Sequence, residues 1–171
     1  MPSSPRRTPR AAAGLALALV GATVGLTACG ADPVRVEGAP ALADLPDADR
    51  AACEAVLDAL PDEVDGQEVR AIEQDGLAAR AWGEPAVVVV CGVAMPDSFT
   101  EISDCEEVGG VGWYAEPATY RDQTTDAVLT TIGQVPVVEL RIPAERRPPV
   151  EEMVDVAPAV LAGTETVSPC V

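Results

Sequence analysis

Residues 11–27 contain no charged side chain, only Ala, Gly, Leu, Val and Thr, and the run closes at Cys29 after Leu26, Thr27 and Ala28. Met1 to Arg10 carries Arg6, Arg7 and Arg10 and no acid. A basic stretch followed by an apolar stretch of this size reads as a secretory signal peptide. The positive residues stay on the cytoplasmic side and set its orientation. This feature constrains the fold more than any other. It takes the first 28 residues out of the folded domain and delivers the remainder to an oxidising compartment.

The run ends in Leu26-Thr27-Ala28-Cys29, which resembles the bacterial lipobox. The resemblance implies cleavage before Cys29 and a thioether-linked diacylglyceryl group on its sulfur. Two acyl chains anchor stably where one binds reversibly, since each buried CH₂ contributes about 0.8 kcal/mol. An uncleaved membrane helix is the alternative, the apolar run being near the lower length for a span. Either way the residues from Gly30 onward face outward. Arg6-Arg7 invites a twin-arginine reading, but Thr8-Pro9-Arg10 follows where apolar residues are wanted, so ordinary secretion is preferred. The expected location is the outer face of the cytoplasmic membrane.

Without its leader the chain keeps 143 of 171 residues, enough for one domain with a core of its own. The leader takes three of the eleven basic residues and none of the 28 acids, leaving a net charge of −20. No Lys and no His occurs anywhere. Such a surface repels nucleic acid and anionic lipid, so nucleic acid is excluded as a partner. The partners that remain are the membrane, through the N-terminal lipid, and an envelope protein or wall component. Cys53, Cys91, Cys105 and Cys170 are then expected as two disulfides, with three pairings open.

Residues 29–45 lack periodicity and read as a flexible tether, a coil of about 20 Å, ahead of a single domain over 46–171. Asp47 is a plausible N-cap, and Cys53, Val56, Leu57 and Leu60 form one helical stripe ended by Pro61. The acidic turn Asp62–Gly66 fails as a calcium loop, because Pro61 and Ile72 stand at its first and last ligand positions. A short strand is expected within 68–74, and a turn at Trp82-Gly83-Glu84-Pro85. The β-branched run from Ala86 to Cys91 reads as a strand buried on both faces. Residues 92–110 read as loop and Val111–Ala115 as a strand. Ala127–Ile132 and Val137–Ile142 read as a hairpin with Gly133 at a type II′ corner, and Pro136 marks the second arm as an edge strand. A closing helix carries the stripe Val150, Met153, Val154 and Ala157, kinked or restarted at Pro158. The expected fold class is α+β: an antiparallel or mixed sheet of four to five strands, with an N-terminal and a C-terminal helix packed on one face.

From Cys53 to about Leu161 the chain resembles an actinobacterial lipoprotein family, the domain of unknown function 3515. The residues that carry the resemblance are Cys53 in a helix ending Leu60-Pro61, and Ala81-Trp82-Gly83-Glu84-Pro85 running into Cys91-Gly92-Val93. Val108–Trp113, and Thr131-Ile132-Gly133 followed by 137–143, complete it. The resemblance implies the pairing Cys53–Cys91, which leaves Cys105 to Cys170. Val90 and Gln134 stand where that family often carries Arg. The family has no established activity, so the resemblance bears on fold and location alone.

Catalysis by a nucleophile with a His base is excluded, as is a Ser–Lys pair, for want of either residue. Structural zinc needs free thiolates, and neither a metal nor a cofactor is expected. Paired carboxylates, Asp104 with Glu106 and Glu107 or Glu151 with Glu152, would suit a hydrolase of envelope glycans. With 28 acids in the chain such neighbours arise by chance, and no catalytic residue is assigned. Trp82 and Trp113 stand out among only five aromatics. They either stack in a ligand groove or fill the core, the second being preferred. Arg141, Arg146 and Arg147 either meet an anionic partner or pair with acids of their own surface. The expectation is a non-enzymatic binding or accessory module of the cell envelope; a glycan hydrolase and a ligand-free spacer are the alternatives.

Overall fold

The computed structural model describes residues 31–170; the leader and the lipidation of Cys29 lie outside the described residues. Helix α1 (Asp47–Ala59) opens on Pro46, places Asp47 and Asp49 at its positive end, and stops at Leu60 before Pro61. Ten strands follow with two further helices. They are β1 (Glu63–Val64), β2 (Gln67–Arg70), β3 (Ala79–Trp82), β4 (Val87–Cys91), β5 (Glu106–Val108) and β6 (Val111–Ala115), then α2 (Pro117–Arg121). After it come β7 (Ala127–Ile132), β8 (Gln134–Val135), β9 (Val138–Ile142), α3 (Val150–Gly163) and β10 (Glu165–Thr166).

Eight of the strands form one sheet in the order β1-β2-β3-β4-β9-β7-β6-β5, while β8 and β10 pair separately. Every pairing between neighbouring strands of that sheet is antiparallel. This corrects the expected α+β architecture of four to five strands with terminal helices. The fold is mostly sheet, with twice the strands and three short helices. The strands of that sheet missed outright, β1, β3 and β5, are two to four residues long, too short to display alternation, while β2 overlaps the short strand expected within 68–74.

The main core lies between one face of the sheet and the helices α1 and α3. Val87, Val89 and Cys91, then Val138, Leu140 and Ile142, then Ala127 and Leu129, all point into it, together with Val56, Val156 and Val160 from the helices. The intervening residues of β4, Val88 and Val90, belong to a second, smaller cluster on the outer face with Val36 and Ala81. Both faces of β4 are thus covered, which is why its valine run is continuous.

What covers the outer face at β3 and β4 is the stretch read from sequence as a tether. Val34 forms a parallel bridge to Ile72; its N–H donates to Ala71 O at 2.8 Å and its carbonyl accepts from Glu73 N–H at 2.9 Å. Ala41 bridges Leu77, and Leu42 and Leu45 pack against the main core. Residues 33–45 are therefore a strap laid on the sheet, held by alternating apolar positions too few to register as a strand.

Three further expectations change. Strand β9 is central, between β4 and β7, although Pro136 suggests an edge; Pro136 precedes the strand, so no ladder N–H is lost. Gly133 does take a positive φ of 69°, but Thr130↔Glu139 is the last pair of the ladder, so the connection is a wide loop whose β8 pairs with β10. Helix α3 runs through Pro158 without restarting. Its buried side is Glu152, Met153, Val156, Ala157, Ala159 and Val160, whereas Val150 and Val154 are exposed.

The disulfides join Cys53 to Cys91 and Cys105 to Cys170, as the resemblance implies. The first ties α1 to β4 with both sulfurs fully buried. The second ties the start of β5 to the C-terminal tail, which seats against Gly112 and Gly133. A Cβ at Gly133 would lie 1.6 Å from Ser168 O.

Candidate functional site

Trp82 and Trp113 do not line a groove. Both are buried among the main core, and each indole N–H donates to a carbonyl, Trp82 to Pro61 O at 3.0 Å and Trp113 to Val108 O at 3.3 Å. The polar end of each ring is satisfied inside the protein, as burial of an indole requires. Trp82 closes β3 rather than standing in the turn.

Of the acids considered for catalysis, Asp104 and Glu106 both lie near Tyr120, where their charges add to burial in raising the pKa of its phenol, but the other neighbours are split. Glu106 and Glu107 are consecutive on β5, so they project to opposite faces. Glu151 is exposed while Glu152 is 1% exposed. Neither Glu152 oxygen has a hydrogen-bond partner among the described residues, and Arg146 Nε stands 3.7 Å away. Burial first, then the charges of Asp65 and Asp155, raise the Glu152 carboxyl above the ordinary range, against the pull of its backbone and of Arg146.

The arginine cluster is consumed internally. Arg141 pairs with Glu139 at 2.5 Å and donates to Glu37 O at 2.6 Å. Arg146 pairs with Asp65 at 2.7 Å. Arg147 donates to the carbonyls of Thr119, Asp122 and Thr125. Arg141 and Arg146 thus pair with acids of their own surface, and Arg147 is held by backbone carbonyls.

A groove of about 450 Å³ lies elsewhere, on the outer face of the sheet beyond the edge of the strap. Its floor follows from strand register. Tyr114 stands opposite Thr130, Thr130 opposite Glu139, and Glu139 opposite Val90, a single row across β6, β7, β9 and β4. The strap covers the Val90 end; the other end, with Val128 from the next row, remains open. Ala94 and Pro96 form one wall, Ala118 and Thr119 of α2 another. A smaller cleft of about 290 Å³ shares Asp126 and Val128 with it and runs under the strap toward Arg141.

Three carboxylates line the groove: Glu116, Asp126 and Glu139. Each is oriented by one internal donor. Tyr114 OH donates to Ser98 Oγ at 3.0 Å, and Ser98 Oγ donates in turn to Glu116 Oε1 at 3.0 Å. The Ala144 N–H donates to Asp126 Oδ1 at 3.0 Å. Arg141 Nε holds Glu139 Oε1. Phe99 packs edge-on against Tyr114, with ring centroids 5.3 Å apart, and fixes the start of that relay. The groove thus joins apolar surface from Ala94, Pro96, Ala118 and Val128 to a few positioned acceptors, the usual make-up of a small-ligand site. Among the described residues no group of three or more His, Cys, Asp or Glu is placed to hold a metal ion.

The family described as Protein of unknown function (DUF3515) matches residues 11–166. No curated protein and no solved structure matches the chain.

Proposed function

The chain belongs to that family, and since its description carries no activity we propose a function from the residues themselves: a non-enzymatic binding module of the cell envelope, anchored by lipid at Cys29 to the outer face of the cytoplasmic membrane. Leu26-Thr27-Ala28-Cys29 after an uncharged run supports the anchor. The observation that carries the binding reading is the outer-face groove. Each of its three carboxylates is oriented by an internal donor through one oxygen, and the second oxygen has no donor among the described residues. The ligand that fits is small, with an apolar body and an amine that meets these acids. No cofactor enters this reading.

The test is a panel of small amines and their neutral isosteres, screened by thermal shift on the processed, disulfide-bonded protein. Amines should raise Tm where isosteres do not. Asp126→Asn, which keeps an acceptor for the Ala144 N–H, should weaken binding by about tenfold, the equivalent of 1.4 kcal/mol. Equal response to both halves of the panel, or binding unchanged in the Asp126 variant, would overturn the reading.

A further inference from the structure

The strap has a consequence for how the domain meets a membrane. If residues 29–45 were a free coil, any face could turn toward the lipid. They are not free: from Val34 onward the backbone is bonded to the sheet beside β2. Five residues lead from Cys29 to Val34. Fully extended, they span at most about 17 Å. The β2 end of the sheet, beyond which only the two-residue β1 lies, therefore cannot leave the headgroup layer by more than that distance.

The groove lies farther on. Its floor residues sit on β9, β7 and β6, which are three, four and five strands from β2 in the sheet order. At about 4.8 Å per strand, that is roughly 14–24 Å across the sheet. Charge decides between a domain standing on its β2 end and one lying with its outer face on the lipid. Around the strap's entry Arg35 is paired with Glu73 and Arg70 with Glu84 and the Asp32 carbonyl, so that with the Asp32 carboxylate three acids stand against two guanidiniums. The outer face beyond it carries Glu37, Glu116, Asp126 and Glu139 against Arg141, with the Glu73-paired Arg35 at its strap side and Arg147 held on the Thr119 and Thr125 carbonyls, so it is the more acidic of the two surfaces. An anionic lipid surface repels the second more strongly than the first.

We propose that the lipid headgroup layer is the partner of the β2 end, formed by residues 32–35, Arg70, Glu73 and Glu84. The domain stands on this end and presents its groove outward, away from the bilayer. The proposal rests on acylation of Cys29, and the two are separable by experiment. The full chain, processed in membranes, would carry photoreactive p-benzoylphenylalanine at Glu84 or, independently, at Glu73, and in comparison at Tyr120 beside the groove. All three positions are exposed, with side-chain exposure of 75% for Glu84 and 44% for Glu73, and 51% exposure for Tyr120. Irradiation should give lipid adducts at 84 and 73 at least tenfold above those at 120. A twenty-residue Gly/Ser insert between Gly30 and Ala31 should abolish that ratio. An acylated N-terminus with equal or reversed ratios, or with lipid adducts at none of the three positions, overturns the orientation alone. A mass showing no acyl group on Cys29 overturns the anchor and the orientation together.

Discussion

Val36 is where the strap is most dependent on the sheet. Its side chain is 4% exposed and packs with Ala81, Val88 and Val90. Val36→Ala removes two buried methyl groups, about 1.6 kcal/mol by transfer alone at 0.8 kcal/mol per carbon. A residual cavity adds to this, so a loss of about 1.5–2.5 kcal/mol in unfolding free energy is expected. Val36→Asp leaves a charge against three apolar side chains and should cost more. Urea titration measures the loss, with an unchanged m-value showing that the unfolded state is not responsible. Amide exchange locates it: the Val34 and Glu73 amides, which form the bridge to the sheet, should exchange faster in Val36→Ala while those of β9 change only by the global amount. A loss below about 0.5 kcal/mol, the scale of an ordinary surface substitution, with no change at Val34 and Glu73, would refute the strap and restore a loose tether.

Other outcomes follow from single contacts. Because the folded-state pKa of Glu152 is raised, its contribution is fully present below the unfolded value near about 4.3 and is lost as pH rises through the folded value. The stability of Glu152→Gln relative to the native chain should therefore increase over that rise and then level off; the opposite slope in paired denaturation curves would mean that Arg146 outweighs burial. Gly109 and Gly66 both adopt a positive φ, of 64° and 69°, but only at Gly109 does a new Cβ meet a neighbour, Ala157 Cβ at 2.5 Å. Gly66→Ala should cost about 1–2 kcal/mol and Gly109→Ala about 2–4 kcal/mol, a difference that a pair of thermal melts detects. Replacing both Cys53 and Cys91 by Ala opens a link across 38 residues, worth about 4 kcal/mol in chain entropy. In the folded protein a mild reductant should open Cys105–Cys170 first, since both Cys53 and Cys91 are fully buried, and peptide mapping reads the order.

What the sequence discloses here depends on segment length. The stripe Cys53, Val56, Leu57 and Leu60, the run ending at Cys91 and the alternation of 138–142 are long enough to show their period, and each forms the element it implies. β1, β3 and β5 are not, and β2 is reached only by the short strand expected within 68–74, so the expected sheet of four to five strands falls short of the observed eight. The disulfide pairing came from family resemblance, because spacing alone leaves three choices. At Trp82 and Trp113 the preferred reading, core filling, holds, because each indole finds a carbonyl inside the core. The groove was illegible for a topological reason: its residues come from 94–96, 114–119, 125–130 and 139, and only the insertion of β9 between β4 and β7 brings them together. One local signal did exist. Glu139 and Arg141 alternate with the apolar residues of a strand that proves central, and charges on the outer side of a central strand mark a face that is not fully covered.

Acylation of the Cys29 sulfur would set anchor, compartment and orientation together. Intact-mass and N-terminal analysis of the chain extracted from membranes tests it directly. The expected species begins at Cys29, carries a diacylglyceryl mass on that residue, and contains both disulfides. A chain recovered from the cytosol with Met1 in place, no acyl mass and free thiols at Cys53 and Cys91 would contradict the anchor, the compartment and the orientation at once.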